Sequence, residues 1–448
     1  MRYIPHTQAD VQEMLKVCGV KTVDDLFSGI PATLRLSHPL NVPQALSEPE
    51  VLRLASQRAE ENQPHPQNRS FLGGGVYRHY IPQVVSDLIR RSEFLTPYTP
   101  YQPEVSQGTL QVIFEFQTMI SEIFGMEVAN ASNYDGSTSL AEAVLMALRL
   151  GKNRKKILLP ANLHPEYRKV VDTLLQGVPC EKITIPYTEQ GAIDRNALKD
   201  YLDSNLAACV VAYPNFFGGV EDISDIVEKV HKAGGIVITC TTEPLALGLF
   251  TSPGEMGVDI ACGEGQSFGI SPNFGGPHVG LFTTRKEFLR QMPGRLCGIT
   301  EDTEGRRGFV LTLSTREQHI RRARATSNIC TNQALCATQA TMYLSLLGKE
   351  GFQRLSRINW NRAEYLKQGL SPLSEKTFPF VQTTFNEFVV RCKRPATETV
   401  EQMQKRGWLA GIPLSRWIPE RTHDLLVNIT EQNSKEDIDQ FAEDLKQI

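Results

Sequence analysis

The chain has 448 residues, 41% hydrophobic and 22% charged, with a formal net charge of −3. These proportions fit a soluble globular protein of two or three domains, and the charge excludes bulk attraction to nucleic acid or an anionic membrane. Nine scattered cysteines without CxxC spacing argue for reduced structural thiols, against a disulfide framework or a metal site.

The opening MRYIPHTQADVQEML lacks the apolar core of a signal peptide, and no run approaches the ~20 apolar residues of a membrane helix. A cytoplasmic protein is expected. HTQADVQEMLKVCG predicts a helix ending at Gly19, and Asp24 to Phe27 a short turn. A second helix is expected from Glu48 to Ala59, closed by the polar run Glu60 to Pro64. Residues 1–70 read as a helical arm. Residues 71–108 are rich in Gly, Pro and Tyr, and TPYTPYQPEVSQG carries too much Pro for regular structure. That loop also carries polar aromatic groups, as site loops do. Leu110, Ile113, Phe114, Ile120 and Phe124 recur with helical spacing up to Gly125. A further helix has Leu140, Val144, Ala147 and Leu148 on one face, with Ser139 and Glu142 as its expected capping box.

Six apolar runs then read as buried strands: 157–160, 182–187, 209–214, 236–239, 258–262 and 279–284. Helical segments between several of them argue for a mainly parallel sheet covered on both faces. This large α/β domain spans 71–330. Residues 331–448 open on a long helical stretch. Alternating strands and helices follow, as in a small α+β domain. No repeats, charge blocks or low-complexity tracts appear.

Residues 233–285 contain no lysine. Their order is apolar strand, Pro-Gly loop, strand, Gly-rich segment, strand. That is the layout of the cofactor core of a pyridoxal-phosphate enzyme, in which a lysine of the Gly-rich segment holds the cofactor. Here the segment reads Gly265-Gln266-Ser267-Phe268-Gly269, and neither an amide nor a hydroxyl forms an imine. The strand 236–239 is followed by Cys240-Thr241-Thr242, with no acid to protonate a pyridine nitrogen before Glu243. Asp135-Gly136-Ser137 opens a helix, a natural phosphate cradle. Yet Asp135 would repel a phosphate and fits a plain N-cap better. His164 follows a strand and is either a ring-stacking remnant or structural. The spacing of Gly263, Gly265 and Gly269 fails the dinucleotide fingerprint, and no hydrolase, zinc or P-loop motif occurs.

FLGGGVYRHYIPQVV, the block from TPYTPYQPEVSQGTLQ to SNYDGSTSLAEA, YPNFFGGVEDI and GEGQSFGISPNFGGPHVGLF resemble the P-protein of the glycine cleavage system. The likeness is narrower still to the alpha-type chain of its two-subunit bacterial form. It spans essentially the whole sequence. It implies a fold-type-I pyridoxal-enzyme architecture and a beta-type partner that carries pyridoxal phosphate on its own lysine. Matching the Gly-rich runs puts the missing lysine at Gln266 or Ser267. The assembly implied is two alpha and two beta chains. It decarboxylates glycine and passes the aminomethyl group to the lipoyl arm of H-protein. On this reading no cofactor is held covalently here, and Asp135, Gly136, Ser137, His164, Thr241, Gln266 and Ser267 line a vestigial pocket. Tyr98, Thr99, Tyr101, Gln102, Glu104, Ser106 and Gln107 are candidates to reach the partner's site. The other possibility is a scaffold that contributes no site residue.

Overall fold

The structure, a computed structural model, describes residues 4–62, 69–273, 275–371 and 377–448. The chain divides into two compact units, residues 1–64 and 65–448. In the first, α1 (Gln8–Val17) starts at a reciprocal cap between Thr7 and Asp10 and stops before Gly19, whose φ is 71°. Helix α2 (Glu48–Glu60) starts at a second such cap, between Ser47 and Glu50. In each box one hydroxyl and one carboxylate satisfy two backbone N–H groups that a helix end leaves open. Part of the polar run expected to close α2 lies outside the described residues.

The second unit begins with two short helices, α3 (Gln83–Ile89) and α4 (Ser92–Leu95), ahead of the Pro-rich loop at 96–108. Helix α5 (Gln107–Phe124) follows, ended by Gly125 in the left-handed region at φ 65°. A seven-stranded sheet then forms from β1 (Val128–Ala129), β2 (Lys156–Pro160), β3 (Glu181–Ile185), β4 (Leu206–Ala212), β5 (Ile236–Thr241), β6 (Ile260–Glu264) and β7 (Gly280–Thr284). The spatial order is β1-β7-β6-β5-β4-β2-β3. Strands β3 to β6 and β2 pair in parallel, while β7 runs antiparallel to both neighbours. This is the mainly parallel sheet of the fold-type-I class.

Alternation along β4 shows why both faces need cover. Cys209 and Val211 join the core under α5, while Ala208 and Val210 join the core under α6 (Gly136–Leu150) and α7 (Pro165–Leu174). Helices α8 (Arg195–Lys199) and α9 (Ser224–Lys232) complete the crossovers, α9 on the α5 face through Ile226 and Val230. Helix α6 is capped by Asp135 with Thr138, which corrects the expected Ser139 and Glu142 pair. Ser139 is buried and accepts from the Asn133 amide at 3.1 Å.

Beyond the sheet, β8 (Leu296–Glu301) and β9 (Arg307–Thr312) form an antiparallel hairpin, where the sequence reading placed no strands. Short α10 (Gln318–Arg321) leads to α11 (Ala334–Leu370), which breaks at Gly348, φ 57°. The C-terminal layer is a three-stranded antiparallel sheet of β10 (Glu387–Arg391), β11 (Ile412–Pro413) and β12 (Asp424–Asn428), ordered β10-β12-β11. Helices α12 (Ala396–Lys405) and α13 (Lys435–Lys446) back it. Phe71, far upstream, completes this core, stacked 3.8 Å from Phe441 and edge-on to Trp408. Among the described residues no helix is long and apolar enough to cross a membrane.

Candidate functional site

In sheets of this kind ligands sit beyond the carboxyl ends of the strands. Those ends place Asn162 and His164 after β2, Thr241 and Glu243 at β5, and Glu264, Gln266 and Ser267 at β6. Asp135, Gly136 and Ser137 at the start of α6 join them. The structure therefore brings the expected pocket residues together, and it fills the space between them with the protein's own groups.

The helix start is closed by carboxylates. Asp135 accepts from the Thr138 N–H and the Ser137 hydroxyl, each at 2.7 Å. Glu264 accepts from the Gly136 N–H at 2.9 Å, and its other oxygen takes the N–H groups of Gln266 and Val279. Burial pushes the Glu264 carboxyl up to about 8 against the pull of these donors. A Cβ on Gly136 would lie 2.6 Å from the Tyr167 hydroxyl, so the approach admits only glycine.

Gln266 bonds to main chain through every part of its amide. Its oxygen accepts from Tyr77 N–H at 2.8 Å, and its nitrogen donates to the carbonyls of Tyr77 at 2.9 Å and Ile270 at 2.6 Å. The segment it holds, Gly73 to His79, runs through the pocket. His164 donates from Nε2 to the Gly74 carbonyl at 2.8 Å and packs against Tyr167 and Phe216. Burial lowers its pKa, so it is neutral. Glu387 accepts from Gly74 N–H at 2.6 Å and from the Tyr77 hydroxyl at 3.0 Å. Burial raises the Glu387 carboxyl to about 7. His79 lies between Glu243 and Glu431, 2.9 Å from each. Burial works against its charge, but the two carboxylates outweigh it and raise the pKa to about 10. The acid that follows β5 is therefore committed to an internal imidazolium. Thr241 and Ser267 are buried with hydroxyls that find no partner among the described residues.

The Tyr98 to Gln107 stretch lies elsewhere. Tyr98 is 79% exposed and Tyr101 58% exposed. Glu104 and Gln102 are also exposed, while Thr99 and Ser106 are half-buried. Ser106 caps α5 with its carbonyl, and Gln107 is spent on the fold, exchanging two hydrogen bonds with the Phe309 main chain. Tyr101 packs on the Arg295 guanidinium, 5.5 Å from the ring centre, and edge-on to His319. Among the described residues no hydrogen bond, ion pair or ring contact joins this loop to the pocket around Gln266.

The model of the glycine cleavage system P-protein family matches residues 1–445. The chain belongs to this family. It is 48% identical over 444 residues to a protein of Geobacillus sp. named probable glycine dehydrogenase (decarboxylating) subunit 1, covering 99% of this chain and 98% of that one. It also matches a crystal structure of glycine decarboxylase (P-protein) in inhibitor-bound form, at 41% identity and TM-score 0.89 over 100% of both chains. The sphingosine-1-phosphate lyase of Burkholderia pseudomallei, at 15% identity and TM-score 0.68 over 93% of each chain, shares the fold.

P-protein resemblance led to a vestigial pocket at these residues, and their chemistry does not fit a covalently held pyridoxal phosphate. No amine stands at 266 or 267, no acid stands free at the end of β5, and the helix start carries two carboxylates. Sequence reading missed the filling of the pocket, because Glu387 and Glu431 lie more than a hundred residues from Gln266. It also passed over Arg316, Arg321, Arg322 and Arg324, set against the single acid Glu317 between residues 314 and 332.

Proposed function

We propose that this chain is the alpha-type subunit of glycine dehydrogenase (decarboxylating), working with a beta-type partner that holds pyridoxal phosphate. The observation that carries this reading is the Gly-rich run: of the two positions where the resemblance puts the cofactor amine, Gln266 holds an amide consumed by main-chain hydrogen bonds and Ser267 a buried hydroxyl. The fold-type-I architecture and the family point to pyridoxal-phosphate chemistry, and the partner is the chain that can supply the amine. When bound there, that cofactor stabilises the electron pair left when glycine loses its carboxylate. On this reading two alpha and two beta chains assemble in the cytoplasm, and the lipoyl arm of H-protein takes the aminomethyl group.

This chain's part is to orient and to exclude water at the shared site. The exposed Tyr98, Tyr101, Gln102 and Glu104 offer hydroxyl, amide and carboxylate groups on a Pro-punctuated backbone with little entropy left to lose. A scaffold role is favoured only for Ser106 and Gln107, whose groups are already used in folding.

The test is Tyr98→Ala and Tyr101→Ala in the reconstituted complex. We expect glycine decarboxylation to fall about tenfold or more with assembly unchanged, the scale of one lost positioning contact. Full turnover in both variants would return the loop to a scaffold role.

A further inference from the structure

The winding of the sheet reverses between β2 and β4. Strand β2 hands the chain to β3 on one side, and β4 hands it to β5 and β6 on the other. The crevice beyond the carboxyl ends of such a pair is the usual ligand position in an open α/β sheet. On its inner side His164 closes on the Gly74 carbonyl. On its outer side, against β3, lies an open cleft of about 300 Å3. That is the lower end of the range for small-molecule sites.

Ala161 of the loop after β2, Phe216 of the loop after β4, and Trp417 and Ile418 between β11 and β12 form its apolar walls. The two loops are locked together, since the Phe216 N–H donates to the Asn162 carbonyl at 2.8 Å. Trp417 meets Phe216 edge-on, ring centres 5.4 Å apart. The walls are therefore aromatic and preformed. Two polar side chains enter them, Arg168 of α7 and Thr184 of β3. Arg168 is half-buried, and its terminal nitrogens donate to the Thr184 hydroxyl at 3.1 Å and to the carbonyls of Leu159 at 3.2 Å and Pro160 at 2.6 Å. Every one of these partners is neutral. Asp172, one turn along α7, is taken by Lys182, and Glu166 is exposed and makes no ion pair with Arg168 among the described residues. Arg416 is exposed, 5.0 Å from the Trp417 ring centre, and it too has no acidic partner among the described residues. An apolar cleft with an uncompensated guanidinium in its wall suits an apolar body that carries one negative charge.

We infer that this cleft binds a small apolar monocarboxylate. Its ring or branched body lies against Phe216 and Trp417. Its carboxylate takes hydrogen bonds from Arg168 and from the Thr184 hydroxyl, which accepts from Arg168 and so has its own hydrogen to give. Arg416 adds charge at the rim. Occupancy ties the C-terminal layer, through Trp417 and Ile418, to the sheet, through Ala161 and Thr184, which is the position of an effector. The claim needs no partner chain, so it stands or falls apart from the reading under Proposed function.

The experiment is a calorimetric titration of phenylacetate, with phenylacetamide as its neutral isostere, into the full chain and into the assembled complex. Wild type should bind phenylacetate saturably, with Kd on the order of 1 mM, and the amide about tenfold more weakly or worse. Thr184→Val keeps the shape and removes the hydroxyl; it should weaken phenylacetate about fivefold. Arg416→Gln, at the rim, should weaken it about twofold. Ala161→Leu fills the cleft and should abolish binding. No saturation in the full chain, or equal affinity for acid and amide, overturns the site. So does undiminished binding in Thr184→Val and Ala161→Leu. Should Ala161→Leu fail to fold, the comparison of acid with amide on wild type still decides. Saturation in the full chain that vanishes in the assembled complex gives the cleft to the partner chain and overturns the ligand.

Discussion

Gln266 differs from a lysine in chemistry more than in reach. A carboxamide accepts and donates; an ammonium only donates. The Tyr77 N–H bonds to the Gln266 oxygen deep in the protein. Gln266→Lys would leave that N–H without a partner and bury a charge, costing about 1–3 kcal/mol for the orphaned donor alone. We therefore expect Gln266→Lys to lower the thermal midpoint by several degrees and to gain no borohydride-trapped pyridoxyl group at residue 266. A variant as stable as wild type that takes up the cofactor would show that the Tyr77 segment yields. The groups at the strand ends hold residues 73–79 in place: Gln266 bonds to Tyr77 and His164 to the Gly74 carbonyl.

Helix α5 and the β8–β9 hairpin are joined by two glutamines acting as extra ladder rungs. Gln107 exchanges hydrogen bonds with Phe309 on β9, and Gln117 does the same with Cys297 on β8, at 2.9 and 3.0 Å. Gln117 is 8% exposed, so its loss strands the Cys297 groups away from water. Gln117→Ala should cost about 1–3 kcal/mol and Gln107→Ala, nearer solvent, about 0.5–1.5 kcal/mol. Amide exchange should speed up around Cys297 in the first variant and around Phe309 in the second. Unchanged protection in both would mean that strand pairing alone holds the hairpin. Elements such as α5 and the parallel strands were legible in the sequence because burial on a fixed face leaves a period. The hairpin was not, because β8 is buried only at Leu296 and Cys297 and exposed over its last three residues. Of the site, the absence of an amine from Gly265-Gln266-Ser267-Phe268-Gly269 and of an acid from Cys240-Thr241-Thr242 could be read directly, since each is a local fact. What replaced them could not, because Tyr77, Glu387 and Glu431 meet only after the C-terminal layer folds back.

Across the whole second unit, one buried ionic node links three parts of the chain. His79 from the upstream segment meets Glu243 at the end of β5 and Glu431 after β12, and Asn359 of α11 donates to Glu431 at 3.0 Å. Linkage gives each group a sign. The His79 pKa is raised from 6.5 to about 10, so its contribution is full below 6.5 and is lost as pH rises through about 10. Burial opposes the charge of Glu431, but His79 prevails and lowers its pKa from 4.5 to about 2; its contribution is full above 4.5 and fades only toward 2. Glu264 and Glu387 are raised from 4.5 to about 8 and about 7 by burial, so what they contribute is present below 4.5 and lost as pH climbs through those values. Three of the four therefore weaken the fold on the alkaline side. Calorimetry at constant ionic strength should find the unfolding midpoint falling steadily from pH 6 to pH 10. His79→Gln leaves two carboxylates facing each other in the core. It should cost about 3–5 kcal/mol near neutral pH, the usual scale for breaking a buried pair, and should flatten the decline on its most alkaline part, approaching pH 10, above the values of both raised glutamates. A decline as steep in His79→Gln as in wild type would place the alkaline sensitivity elsewhere.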